Sequence, residues 1–181
     1  MNLTARAKLL LIVSGFLLPI AASVATYVFF RPEPTGNYGE LLMPPEAISA
    51  AAFRRDDGAT FRFESLRGRW VLLASESRRC DAECSAKLYA VRQVRLALGR
   101  DASRVARVLV AQAPEALPAV PHEDLVAVMP AAREPVGPVN DASHIYLVDP
   151  RGNVMIRWPR EPDMRRMLKD LQTLLRASQI G

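Results

Sequence analysis

The hydrophobic pattern begins with a run of 22 uncharged residues, Leu9 to Phe30, close to the N-terminus. At 1.5 Å per residue, a helix of this length is about 33 Å long, which matches the roughly 30 Å hydrocarbon core of a bilayer. Pro19 lies in the middle of the run, where transmembrane helices tolerate proline. The pattern therefore predicts a transmembrane helix over residues 9–30.

The charges beside this run predict its orientation in the plasma membrane. Arg6 and Lys8 precede the run, whereas the residues just after it carry no basic excess. Because basic residues are retained on the cytoplasmic side, residues 1–8 are expected in the cytoplasm and residues 31–181 on the far side.

A cleaved signal peptide is the alternative interpretation of the same run. Its apolar region would be Leu9–Ile20, with small residues at Ser23–Ala25 as a cleavage position. The apolar run extends to Phe30, however, beyond the roughly 7–15 residues that a signal peptide needs. The length favours an uncleaved anchor, and both interpretations place the rest of the chain outside the cytoplasm.

Residues 31–47 are rich in proline and show no sustained hydrophobic period, which predicts a tether. The remaining residues, 48–181, are numerous enough to bury one hydrophobic core. The expected organisation is a cytoplasmic N-terminus, a membrane anchor, a proline-rich tether and one exported domain.

Within that domain, apolar residues alternate between strand-like and helix-like spacing. The continuous apolar run Trp70–Ser75 is typical of a central strand buried on both faces. Helical periodicity predicts helices over Cys84–Leu98 and Pro162–Ser178, the second with Pro162 at its first helical position. The other predicted strands are Ala52–Arg55, Thr60–Phe63, Val105–Ala111, Leu125–Met129, Ile145–Val148 and Val154–Trp158. This order predicts an α/β fold, a mixed sheet with helices on both faces.

Composition excludes several classes of function. The net charge is +5, but the basic residues are scattered rather than gathered in a stripe, so no nucleic-acid partner is expected. Two cysteines and two histidines are too few for Fe–S clusters or a disulfide-dense fold. The nine glycines form no phosphate-binding loop.

The candidate chemistry lies at Cys80 and Cys84, where the first predicted central strand leads into a helix. On a regular helix these residues share one face, with Cβ atoms about 5–6 Å apart, and two thiolates so placed could bind one soft ion such as Cu(I). A disulfide needs Cβ atoms about 3.8 Å apart and hence an irregular first turn. Export favours oxidation unless a reductant or a metal intervenes. Metal binding, redox cycling and an inert disulfide are all compatible with the pair.

The two histidines are weaker candidates. His144 directly precedes a predicted strand, and it is either a third metal ligand or an ordinary residue at the strand entry. His122 lies in a proline-rich stretch and is expected to be exposed to solvent. Together with the cysteines they would make a four-ligand zinc site, but their spacing matches no usual zinc module.

The domain resembles the SCO/SenC family, thioredoxin-like, membrane-anchored proteins that help to assemble the copper site of cytochrome c oxidase. Three blocks carry the resemblance: Phe53–Leu73, the CxxxC spacing of Cys80–Cys84, and Ile145–Gly152. The first and third blocks also occur in peroxiredoxins and other thioredoxin relatives, so only the cysteine spacing points to the SCO branch.

The resemblance implies a thioredoxin-like domain in the periplasm, held at the bacterial inner membrane by the N-terminal helix. It implies Cu(I) as the ion bound by Cys80, Cys84 and His144. It also implies the copper-site subunit of cytochrome c oxidase as the partner. Such a protein is a copper chaperone or assembly factor, which maintains the thiols of the copper site or delivers its metal, rather than an enzyme.

The chain also departs from the family pattern. The family usually has a proline after each cysteine, where this chain has Asp81 and Ser85. The family's copper-binding histidine lies nearer to the position of Asp141 than to that of His144. Two alternatives follow: a periplasmic thiol–disulfide oxidoreductase that cycles the cysteine pair, or a degenerate assembly factor that keeps the fold without metal or redox activity.

Overall fold

The computed structural model describes residues 4–29, 36–48, 52–55, 57–120, 122–131, 140–178 and 180. The chain divides into two compact units, Met1–Gly36 and Asn37–Gly181. The first contains helix α1, Ala5–Phe29, in which Ala5–Thr26 is long and apolar enough to cross a membrane. The predicted span 9–30 falls within α1, except for Phe30, which lies outside the described residues.

The described part of the second unit is built on an eight-stranded mixed sheet with strand order β1-β8-β7-β4-β5-β6-β2-β3. Strands β4, β5 and β6 are parallel, and the other neighbours are antiparallel. In chain order the elements are β1 Glu40–Ala47, β2 Phe53–Arg55, β3 Thr60–Phe61, β4 Trp70–Glu76, α2 Ala82–Ala97, β5 Val105–Ala111, β6 Leu125–Pro130, β7 His144–Val148, β8 Asn153–Pro159 and α3 Met164–Ala177. The predicted mixed α/β sheet is confirmed.

Helices α2 and α3 cover the same face of this sheet. Val91 and Val94 of α2 and Met167 and Leu171 of α3 belong to one buried cluster together with Leu72 of β4. The prediction of helices on both faces is therefore wrong for the described residues. Shorter elements cover the second face instead.

The second face is closed by aromatic side chains from the β2–β3 hairpin and the 3-10 turn that follows it. Phe53, Phe61 and Phe63 pack edge to face, with ring centroids 5.2 to 6.5 Å apart. They share a buried cluster with Val71 and Leu73, the β4 residues that alternate with those facing the helices. Because both faces of β4 are covered, a continuous apolar run is what its sequence shows.

The predicted tether over residues 31–47 is wrong in its second half. Strand β1 pairs antiparallel with β8, for example through Leu41 and Ile156, and the pairing is interrupted between Leu41 and Glu46. Pro44 and Pro45 lie in this interruption. An edge strand accommodates prolines there because a proline has no N–H to donate to the ladder, which is why the pattern looked like a tether.

A buried carboxylate fixes the start of the second unit. Asp170 of α3 is 3% exposed and accepts hydrogen bonds from Tyr38 N at 3.0 Å, Gly39 N at 2.8 Å and Trp158 Nε1 at 3.0 Å. A Cβ at position 39 would overlap the side chains of Ile156 and Trp158, so only glycine allows this close approach. The entering chain, β8 and α3 are thereby joined at one point.

Helix α3 begins two residues later than its sequence predicts. Asp163 is the N-cap, and its carboxylate accepts from Arg165 N and Arg166 N at 3.0 and 3.1 Å. Pro162 precedes the cap and is not the first helical residue. An aspartate cap satisfies two amides that a proline start would leave open.

Candidate functional site

Cys80 and Cys84 form a disulfide at the N-terminus of α2, with Cα atoms 5.1 Å apart. The helix begins at Ala82, earlier than the predicted Cys84, and Asp81 is an extended N-cap. Cys80 therefore lies outside the helix, and the expectation that both cysteines share a helical face is wrong. The extended cap residue supplies the irregular geometry that a disulfide at this spacing requires.

The two cysteines differ in exposure. Cys84 is fully buried and packs with Ala74, Leu88 and Leu109. Cys80 is half-buried, and its backbone N–H donates to Glu115 O at 3.0 Å. Cys80 is thus the more accessible end of the disulfide, and attack there would release the thiolate of Cys84.

Asp81 occupies the helix N-terminus between the cysteines. Its Oδ1 accepts from Cys84 N at 3.1 Å and from Glu83 N at 3.0 Å. The Cys84 amide is the largest cause that lowers the pKa of Asp81. The first amides of α2, which could otherwise stabilise a thiolate, are therefore committed to a carboxylate.

His144 is held by a neighbouring carboxylate. Its Nδ1 lies 2.6 Å from Asp141 Oδ2, and its ring lies beside that of Tyr146. Burial alone would raise the pKa of Asp141, but hydrogen bonds from Ser143 N and His144 outweigh it and lower the pKa to about 2. An ionised carboxylate only accepts hydrogen bonds, so Nδ1 of His144 is the donor in this contact.

His144 and the cysteine pair lie on different sides of the sheet. His144 shares its ring contact with Tyr146, which faces the aromatic core, whereas Ile145 between them faces α2 and α3. Among the described residues, no group of three or more His, Cys, Asp or Glu side chains is arranged to hold a metal ion. The structure therefore brings Cys80 and Cys84 together and leaves His144 apart from them.

His122 precedes β6 and is half-buried rather than exposed, so the prediction of a solvent-exposed side chain is wrong. Its carbonyl accepts from Leu125 N at 3.2 Å, which closes the turn into β6. This hydrogen bond holds the backbone of His122 at the turn before β6.

A buried ion pair that the sequence interpretation missed lies near the cysteines. Lys87 Nζ is 2.5 Å from Glu76 Oε1, and both side chains are almost completely buried. Burial is the main cause that lowers the pKa of Lys87, and Glu76 opposes it. Lys87 falls one turn after Cys84 on the buried stripe of α2, and Glu76 ends a buried strand. Two opposite charges at apolar positions were the signal that could have revealed the pair.

A polar pocket of about 350 Å³ opens beside this pair. It is lined on one side by Glu76–Arg79 with Asp81 and Glu83, and on the other by Asn140–Ser143. Arg160 contributes from the end of β8 and lies 3.5 Å from Glu76 and 3.6 Å from Glu83. The pocket therefore separates the cysteine segment from the segment that leads to His144.

The low pKa of Asp141 predicts how stability depends on pH. The folded pKa of about 2 lies below the ordinary value of 3.8, so the ionised carboxylate stabilises the fold above pH about 4. This contribution is lost as the pH falls from about 4 to about 2. The difference in unfolding free energy between wild type and Asp141→Asn, measured in urea, should shrink as the pH falls from about 4 towards 2. A difference that persists unchanged in acid would contradict the low pKa.

The family model of a transmembrane-like, thioredoxin-like, C-terminal domain matches residues 70–178. No curated protein sequence matches the chain. Among solved structures, it is similar to apo Sco1 from Thermus thermophilus, with 18% identity, a TM-score of 0.60 and coverage of 77% of this chain and 97% of that one. This likeness confirms the thioredoxin-like fold expected from the SCO/SenC resemblance.

Two further structures share the fold. One is copper-bound ScoI from Arabidopsis thaliana, at 17% identity and a TM-score of 0.60, covering 73% of this chain and 99% of that one. The other is BsSco, described as a member of the Sco family of cytochrome c oxidase assembly proteins with a disulfide switch. It has 14% identity and a TM-score of 0.55, covering 75% of this chain and 96% of that one. By the match of its family model, the chain belongs to the family of proteins with a transmembrane-like, thioredoxin-like C-terminal domain.

Proposed function

We propose that this chain is a membrane-anchored periplasmic assembly factor that binds Cu(I) through Cys80 and Cys84 and serves the copper site of cytochrome c oxidase. The observation that carries the proposal is the bonded cysteine pair at the N-terminus of α2 in a thioredoxin-like domain. Relatives of the same fold support it, since one is copper-bound and another belongs to the oxidase assembly proteins.

Copper binding requires the disulfide to open first. Two electrons and two protons from an external dithiol convert the S–S bond into two thiols, and the dithiol becomes a disulfide. Deprotonated, the two sulfurs are soft ligands that suit Cu(I). The exposure difference directs the incoming thiolate to Cys80, with Cys84 as the leaving group.

His144 is the proposed third ligand. Its Nδ1–H is donated to Asp141, and metal-binding histidines commonly make such a second hydrogen bond while the other nitrogen binds the metal. Its Nε2 then needs to approach the cysteines by a change in the backbone and side chain of His144, the first residue of β7. The proposal thus includes a change at this one residue between the oxidised protein and the copper complex.

Helix α1 supports the proposed location. Its length and apolar composition fit a single membrane span, and the basic residues before it favour an N-terminus in the cytoplasm. The domain that carries the cysteines would then face the periplasm of a bacterial inner membrane. There it could meet the copper-site subunit of the oxidase, the proposed partner.

An anaerobic Cu(I) titration against a chromophoric chelator tests the copper site. Reduced full-length protein in detergent is expected to bind a single Cu(I) per chain, because two thiolates converge on one ion. The Cys80→Ser/Cys84→Ser variant should lose this binding. His144→Ala should weaken it about tenfold or more, whereas His122→Ala, the matched histidine control, should not change it. Failure of the reduced protein to compete for Cu(I) would remove the copper role.

A thiol–disulfide oxidoreductase is the second candidate function. The pairing of a half-buried Cys80 with a buried Cys84 favours it, because exchange at one accessible sulfur suits stepwise disulfide transfer. Such a protein would reduce a model disulfide catalytically and would keep this activity in His144→Ala. The copper titration and this assay separate the two functions.

A further inference from the structure

Lys87 joins the three chain segments that carry the proposed site, and we propose that it is a positioning residue for that site. This inference rests on the proposed function, which assigns Cys80, Cys84 and His144 to it. In this role the ammonium of Lys87 fixes the segment Asn140–Ser143 against the helix of Cys84. The spacing between the cysteines and the residues before His144 then does not depend on the S–S bond.

Three oxygen atoms surround the side-chain nitrogen of Lys87. Lys87 Nζ lies 2.8 Å from Ser75 O, 2.9 Å from Ala142 O and 2.5 Å from Glu76 Oε1. Ser75 and Glu76 end the strand that leads to Cys80, and Ala142 lies two residues before His144. Lys87 itself is on α2, one turn after Cys84.

An ammonium group suits this junction because of its donor count. It has three N–H bonds and no acceptor, and the three oxygens around Nζ match them. Its side chain is fully buried, so none of these contacts is exchanged freely for water. Loss of any one oxygen would leave a buried donor unpaired, which opposes separation of the three segments.

Other hydrogen bonds also hold the segment Asn140–Ser143 in place. Asp141, the residue before Ala142, accepts from Ser143 N at 2.8 Å and binds the His144 ring. Gln112, the residue after β5, donates from Nε2 to Asn140 O at 2.7 Å and so holds the start of the same segment. Lys87, a charged residue of α2, joins this segment to the helix that carries Cys84.

The deciding experiment is amide hydrogen exchange by NMR on the full-length protein, in both redox states. In Glu76→Gln/Lys87→Met the charges are removed together, so no unpaired buried charge remains. We expect the Ser143 amide to exchange about tenfold faster or more than in wild type, with matching shifts of the amides in 140–144. Lys169→Met, which removes an exposed lysine from α3, is the matched control and should leave them unchanged.

The second measurement is the affinity of the protein for Cu(I). Wild type should lose Cu(I) affinity when His144→Ala is introduced, whereas the same change in the Glu76→Gln/Lys87→Met background should have little further effect. If wild type binds no Cu(I), the proposed function fails, and the exchange measurement still decides the role of Lys87. Should the double variant not fold, Glu76→Gln/Lys87→Gln, which also removes both charges and keeps a polar side chain at each position, replaces it.

Two results overturn the inference. The first is that amide exchange rates and chemical shifts of residues 140–144 in Glu76→Gln/Lys87→Met equal those of wild type. The ammonium would then not hold the segment in place. The other is a loosened loop together with an unchanged Cu(I) affinity, since the position of the loop would then not matter to the site.

Discussion

Asp170→Ala is expected to lower the free energy of unfolding by about 3–5 kcal/mol. The carboxylate is buried and accepts from two backbone amides and the Trp158 indole. Its removal leaves the buried Gly39 amide, the buried Trp158 indole and the part-buried Tyr38 amide without an acceptor, and an unpaired buried donor has a desolvation cost. Urea denaturation followed by tryptophan fluorescence measures the loss, because Trp158 is itself one of the donors.

Two variants make this result specific. Asp163→Ala removes an exposed carboxylate at the N-cap of the same helix and should cost only about 1 kcal/mol. Asp170→Asn keeps one oxygen acceptor but turns an NH₂ group towards the remaining donors, so its stability should lie between wild type and Asp170→Ala. Equal losses for Asp163→Ala and Asp170→Ala would show that the three hydrogen bonds contribute no more than an ordinary cap.

Phe53→Ala should have a comparable effect, a loss of about 3–5 kcal/mol. Phe53 is fully buried and packs edge to face against Phe61 and Phe63, so its truncation leaves a cavity on the sheet face opposite α2 and α3. A two-strand hairpin has little freedom to collapse into that space without breaking its pairing with β6. Chemical denaturation gives the loss directly.

The control for this prediction retains most of the volume. Phe53→Leu should cost about 1–2 kcal/mol, since a branched aliphatic side chain fills part of the cavity. Equal losses for Phe53→Leu and Phe53→Ala would show that the cavity contributes nothing to the effect.

The hydrophobic pattern was sufficient to predict a strand that is buried on both faces. The strand Val105–Ala111 matches its predicted bounds, because all of its residues are buried and all but Arg107 are apolar. The sheet face covered by α3 was not predictable, since periodicity shows that a helix has an apolar side but not which surface receives it. Strand β1 was hidden by Pro44 and Pro45, whose conformational signal is the same in a tether and in an interrupted edge strand.

For the site, local spacing was informative and long-range pairing was not. Cys80 and Cys84 are close in sequence, so their proximity followed from spacing alone, although the extended backbone of Asp81 did not. The bond from Lys87 to Ala142 spans 55 positions and depends on how α2 and the segment before β7 meet. No periodic pattern reports such a contact, because it involves a backbone oxygen that every residue has.

Strand β1 has a practical consequence for recombinant work on the domain. A soluble fragment cut at residue 48, where the proline-rich stretch ends, would lack the strand that pairs with β8. The backbone groups of β8 would become an open sheet edge, which is a template for pairing with a second molecule. Such a fragment would self-associate, whereas a fragment that begins at Asn37 would keep its edge covered and remain monodisperse.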